Sequence, residues 1–163
     1  MFIEINNSAG SGNHRGTVLV FTEGTVLMHR RWYLLLDFRS YVPIGASVEK
    51  LKKWASYGYE IFYLTSRRGK AVDAIKSVLE MYGFPGTRLY FRSPNEQYHT
   101  IAEEIAPDFL VEDDCRSIGG TSRMTITHVD AGIKPEICSL VVGEFKGIEG
   151  LPDDIGKFLH HQN

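Results

Sequence analysis

A chain of 163 residues, 43% hydrophobic and 23% charged, suits one compact domain with a sizeable core. Its net charge of −2 gives no electrostatic basis for binding nucleic acid or an anionic membrane. No apolar stretch approaches the roughly 20 residues that span a bilayer, and no secretory signal is visible at the N-terminus. Cys115 and Cys138 lie far apart with no Cys-x-x-Cys spacing. They read as reduced thiols of a cytoplasmic protein rather than a disulfide or zinc framework.

Residues 1–16 read as an N-terminal extension, in which the short apolar piece Phe2-Ile3-Glu4-Ile5 precedes a flexible polar, glycine-containing stretch. That stretch lacks a Gly-Lys-Ser/Thr ending and is followed by a strand pattern, so it does not read as a nucleotide loop. Residues 17–163 read as a single domain. Its first core strand is Val18-Leu19-Val20-Phe21. Residues 26–45 show no regular period, and Trp32-Tyr33-Leu34 within them is a candidate partner surface if exposed. Val48, Leu51, Trp54 and Ala55 mark one face of a helix that stops near Gly58.

A second strand runs to Thr65, and Val72, Ile75, Val78, Leu79 and Tyr82 stripe a helix that Gly83 caps. Arg88-Leu89-Tyr90-Phe91 is a third strand. A helix through Ile101, Ala102 and Ile105 ends before Pro107, and a fourth strand, Asp108-Phe109-Leu110-Val111, reaches Glu112. Ile137 to Val142 supply a fifth, and Pro152 opens a last helix carrying Ile155, Phe158 and Leu159. Strands alternating with helices predict a mostly parallel α/β sheet with helices on both faces.

In such sheets ligands sit at the carboxyl edge of the strands, and two strand ends carry chemistry. Thr65 and Ser66 offer hydroxyls beside the amides of a helix start, an arrangement that holds phosphate or simply caps the helix. Glu112, Asp113 and Asp114 crowd three carboxylates after a buried strand, which suits magnesium or a solvated acidic turn. Arg67, Arg68, Lys70 and Arg92 follow strand ends at the same sheet edge, where they neutralise an anionic ligand or are plain surface charges. The six histidines show no zinc spacing, and Cys115 beside the acidic run reads as a packed thiol rather than a nucleophile.

In order, Val18 to Leu27, Ile61 to Arg67 and Phe109 to Asp114 resemble three motifs of the haloacid dehalogenase (HAD) superfamily. The resemblance implies a HAD-like Rossmannoid three-layer sandwich without a large cap, residues 26–45 being long enough for a small one. The family's first motif is Asp-x-Asp-Gly-Thr, whose first Asp attacks phosphorus and binds magnesium and whose second acts as acid/base. Here Gly24 and Thr25 match, Glu23 takes the acid/base place, and Phe21 falls on the attacking position. A one-residue shift brings Thr22 there instead.

The resemblance further implies phosphate binding by Thr65 and Ser66, with Arg92 deputising for an absent third-motif lysine. It implies weak magnesium binding by Asp113 or Asp114 together with the Glu23 main-chain carbonyl. Two functions follow from it. One is a divergent, catalytically impaired protein that binds a metal, a phosphate or a small phosphorylated ligand. The alternative is an active magnesium-dependent phosphatase with an altered first motif.

Overall fold

The computed structural model describes residues 1–7, 13–31, 33 and 37–161. In chain order the strands and helices are β1 (Phe2–Asn7), β2 (Gly16–Phe21), β3 (Leu27–His29), β4 (Tyr41–Pro43), α1 (Ser47–Ser56), β5 (Tyr59–Thr65) and α2 (Lys70–Met81). They continue with β6 (Gly86–Phe91), α3 (Tyr98–Ile105), β7 (Phe109–Asp113), α4 (Thr125–His128) and β8 (Cys138–Val142). Six strands form one sheet in the order β1-β6-β5-β2-β7-β8. All neighbours pair in parallel except β1, which runs antiparallel to β6.

The sheet is buried on both faces because its central strands carry unbroken apolar runs. Val18 and Val20 of β2 pack with Val48, Leu51 and Trp54 of α1 and with Val72, Ile75 and Leu79 of α2. Leu19, between them, turns to the opposite face and packs with Ile101 and Ala102 of α3 and Ile126 of α4. The period-two alternation of a strand thus serves two helical layers at once. The result is the α/β sandwich, with helices on both faces, that the alternating pattern predicts.

Several boundaries follow local chemistry. Helix α2 ends where Gly83 adopts φ +68°, and Phe84 N then donates to Leu79 O at 3.0 Å. Phe2–Asn7, read from sequence as part of an extension, is instead the edge strand β1. Its residues Phe2 to Glu4 pair with Tyr90 to Arg88, and Ile5 is buried. Residues 26–45, expected to be irregular, contain the antiparallel ribbon of β3 and β4, with Leu27 and Tyr41 buried. Three-residue strands are too short to show a period.

The last segment, expected as a helix with Pro152 in its first turn, is a 3-10 helix that begins at Ile155 and runs to His161. Ile155 is fully buried and Leu159 packs half-buried against the core, while Phe158 is exposed. Residues 8–12 of the polar stretch, and Trp32 and residues 34–36 of the candidate partner surface, lie outside the described residues. No helix among the described residues is long and apolar enough to cross a membrane.

Candidate functional site

The carboxyl ends of β2, β5 and β7, adjacent in the sheet, open onto a cavity of about 450 Å³. Its wall includes Phe21, Glu23 and Gly24 after β2, Ser66 and Arg67 after β5, and Glu112 and Asp113 from β7. The ribbon contributes His29 and Tyr41, whose rings stack at 4.1 Å between centroids. Burial, followed by the charge of Arg67, holds the His29 imidazole below its usual pKa. Burial and then Glu23 push the Tyr41 hydroxyl up to about 12.

Phe21 lines this cavity at the strand end, with its ring edge-on to Tyr98 at 5.1 Å. Thr22 does not line it. Its side chain is fully buried and its hydroxyl donates to Leu64 O at 3.2 Å. The alternation of the strand sends these neighbours in opposite directions, so only one of them meets the cavity.

Glu23 turns back over the end of β5. One carboxylate oxygen accepts the Thr65 hydroxyl, and the other accepts Ser66 N at 2.9 Å and the Ser66 hydroxyl at 3.1 Å. Arg67 Nε stands 3.8 Å from the same carboxylate and its guanidinium lies over Phe38 and Tyr41. Thr65 is fully buried behind Glu23. The hydroxyls and amide expected to cradle a phosphate are therefore engaged by a carboxylate of the chain itself.

Thr25 donates to Asp113 Oδ2 at 3.2 Å, and Cys115 N donates to Oδ1 at 2.8 Å. Gly24 makes this possible. It adopts φ +81°, and a Cβ there would stand 2.6 Å from Asp113 Oδ2. Burial raises the Asp113 pKa, partly offset by those donors. Glu112 is more deeply buried, and burial raises it too, although Thr125 N at 2.7 Å and Ile126 N at 2.9 Å donate to its oxygens. It caps α4 from beneath the cavity. Asp114 lies outside the cavity wall, accepting Arg116 N at 3.3 Å and Glu144 N at 3.1 Å. Burial, then Asp113 and Glu112, push the Cys115 thiol up to about 12, which leaves it a poor nucleophile.

These donors do not fit a resident magnesium ion. The cation prefers octahedral oxygens with at least one or two carboxylates free to bind it. Phe21 supplies no donor, Asp114 points elsewhere, and both oxygens of Asp113 already accept hydrogen bonds. Among the described residues no group of three or more His, Cys, Asp or Glu side chains is arranged to hold a metal.

No family model matches the sequence, and no curated protein matches it. Solved structures do resemble it. The structure of the Pnkp1/Rnl/Hen1 complex matches at TM-score 0.53 and 15% identity, over 86% of this chain and 50% of the matched one. That of the Pnkp1/Rnl/Hen1 RNA repair complex matches at TM-score 0.53 and 16% identity, over 83% and 47%. The chain thus spans about half the length of these two. A D,D-heptose 1,7-bisphosphate phosphatase from Burkholderia thailandensis matches at TM-score 0.46 and 14% identity, over 81% of this chain and 94% of its own. At 15–16% identity the first two likenesses show the fold alone, a mostly parallel α/β sandwich.

Within that fold Glu23, Thr65, Ser66 and Asp113 converge as their strand-end positions suggest, whereas Arg92 does not join them. It lies against the Tyr98 ring, 4.0 Å from its centroid, and lines an adjoining cavity. Sequence reasoning also missed Glu144, Tyr41 and Arg123, all in the first cavity wall. Glu144 had a usable signal, since it lies two residues past β8 and its carboxylate accepts Ser117 N at 2.8 Å. Tyr41 and Arg123 sit on short, aperiodic elements and carried none.

Proposed function

We propose that this chain is a HAD-like protein that binds a small phosphorylated ligand without aspartyl-phosphate chemistry. One observation carries the reading: the cavity-facing residue at the end of β2 is Phe21. Attack on phosphorus needs an oxygen or comparable nucleophile, and a phenyl ring has none. Thr22 offers no substitute, because its hydroxyl is committed to Leu64 O behind the cavity wall. The Cys115 thiol is held protonated at neutral pH. Asp113 with water ligands supports weak magnesium binding at most. The free thiols Cys115 and Cys138 fit a cytoplasmic location.

A second reading, an active hydrolase with an altered first motif, draws on the convergence of Glu23, Thr65 and Asp113 around one cavity. In it Glu23 activates a water instead of a side chain attacking. Hydrolysis of para-nitrophenyl phosphate, with and without magnesium, separates the two. The proposed function expects no release above the uncatalysed rate. Turnover by the unmodified protein that Glu23→Gln abolishes would establish the second reading.

A further inference from the structure

Beside the first cavity lies another of about 450 Å³, sharing Tyr98, Ile118, Arg123 and Thr125 with it. The two differ in charge. Four carboxylate side chains, Glu23, Glu112, Asp113 and Glu144, stand in the first wall against two arginines, Arg67 and Arg123. The second wall contains Arg92, Arg123, His99 and His128 and no Asp or Glu.

One of its basic groups is incompletely satisfied by the protein. Arg92 Nε is buried and has no hydrogen-bond partner, an arrangement that is costly unless a ligand or water supplies an acceptor. The nearby acid Glu96 is occupied, since it accepts Ser93 N at 2.6 Å. That bond is also the chief reason its pKa is lowered, with Arg92 a lesser cause. Stacking on Tyr98 at 4.0 Å fixes the Arg92 guanidinium. His128 Nε2 is bonded to Ser122 O at 2.8 Å, and the His99 and His128 rings lie 6.0 Å apart.

We infer that the phosphate group of the ligand docks in this second cavity, on Arg92 and Arg123, rather than in the Thr65–Ser66 cradle. The inference rests on the proposed function, because it names where that ligand's anionic group sits. Two physical reasons favour the displaced site. Glu23 already uses the cradle's hydroxyls and the Ser66 amide, so a phosphate there must first expel a carboxylate. With Glu23 displaced but still present, Glu112, Asp113 and Glu144 also remain in the first wall and offset its Arg67 and Arg123, whereas the second wall presents only neutral or basic side chains.

The test is a titration of the full chain with inorganic pyrophosphate at constant ionic strength, followed by nitrogen–proton NMR of the arginine Nε–H groups. The Arg92 and Arg123 resonances should shift together and saturate. Arg123→Gln, at an exposed position, should weaken binding about tenfold, the effect of losing one charge-assisted contact. Arg92→Gln should do the same. Should that variant fold poorly, Arg92→Lys keeps the charge but not the fork, and it should still weaken binding. Saturable binding that Thr65→Val destroys and the arginine variants leave intact would overturn the inference and keep the proposed function. The absence of saturable shifts in every variant and in the unmodified protein would overturn both.

Discussion

Removing the Glu23 side chain tests whether the cradle is closed from within. Glu23→Ala deletes the acceptor of three hydrogen bonds and the ion-pair partner of Arg67, at a side chain only 11% exposed. A hydrogen bond to a charged group contributes about 1.5–3 kcal/mol. The losses do not add, because water entering the open cavity can rehydrate Ser66 N, the two hydroxyls and the partly exposed Arg67. The expected net destabilisation is therefore about 2 kcal/mol, near the value of a single such bond.

With a urea dependence of about 2 kcal/mol per molar, typical of small domains, the unfolding midpoint should fall by about 1 M. The variant should also respond differently to phosphate. Thr65, Ser66 and Arg67 are then free to receive it, so added phosphate should raise the variant's midpoint more than the wild type's. An unchanged midpoint in Glu23→Ala, with equal phosphate effects in both proteins, would show that Glu23 does not occupy the cradle in solution.

Gly24→Ala combines a φ of +81° with a Cβ 2.6 Å from Asp113 Oδ2, and a loss of about 2–3 kcal/mol in urea unfolding is expected; a loss below about 0.5 kcal/mol would mean that the turn relaxes freely. Cys115, with its thiol pushed up to about 12, should react with iodoacetamide at pH 8 about a hundredfold or more slowly in the native protein than in urea. Equal labelling rates, read by peptide mass spectrometry, would contradict that environment. Asp113 has a raised folded pKa, so the native state holds its proton more tightly than the unfolded chain. Its contribution to stability is complete below the ordinary value of 3.8 and is lost as pH rises through the raised one. Urea midpoints of the wild type relative to Asp113→Asn should accordingly fall across that window, and a rising difference would reverse the assignment.

The five parallel strands were legible because each holds a short apolar run bounded by turn formers, and β2, β5 and β7 are buried nearly throughout. The edge strand Phe2–Asn7 was not, since half of it is polar and its place is set by long-range pairing with β6 and by the packing of Ile5 into the core. The ribbon of Leu27–His29 and Tyr41–Pro43 escaped for want of length. At the site, strand-end position sufficed to bring Glu23, Thr65 and Asp113 together. It did not reveal that the Glu23 side chain folds back onto Ser66, because that depends on the reach of one carboxylate in three dimensions. Nor did it foretell that Arg92 would turn to Tyr98, a contact set by the start of α3 and invisible in the spacing of either residue.

The claim that Phe21 leaves the cavity without a phosphoryl acceptor is open to one direct measurement. The unmodified protein is mixed with acetyl phosphate and magnesium, quenched in acid at short times, and weighed intact by mass spectrometry. The unmodified mass at every time point is the predicted result. A phosphoryl adduct that maps to the peptide containing Phe21 to Thr25 would identify an acceptor at Thr22, Glu23 or Thr25 and contradict the account.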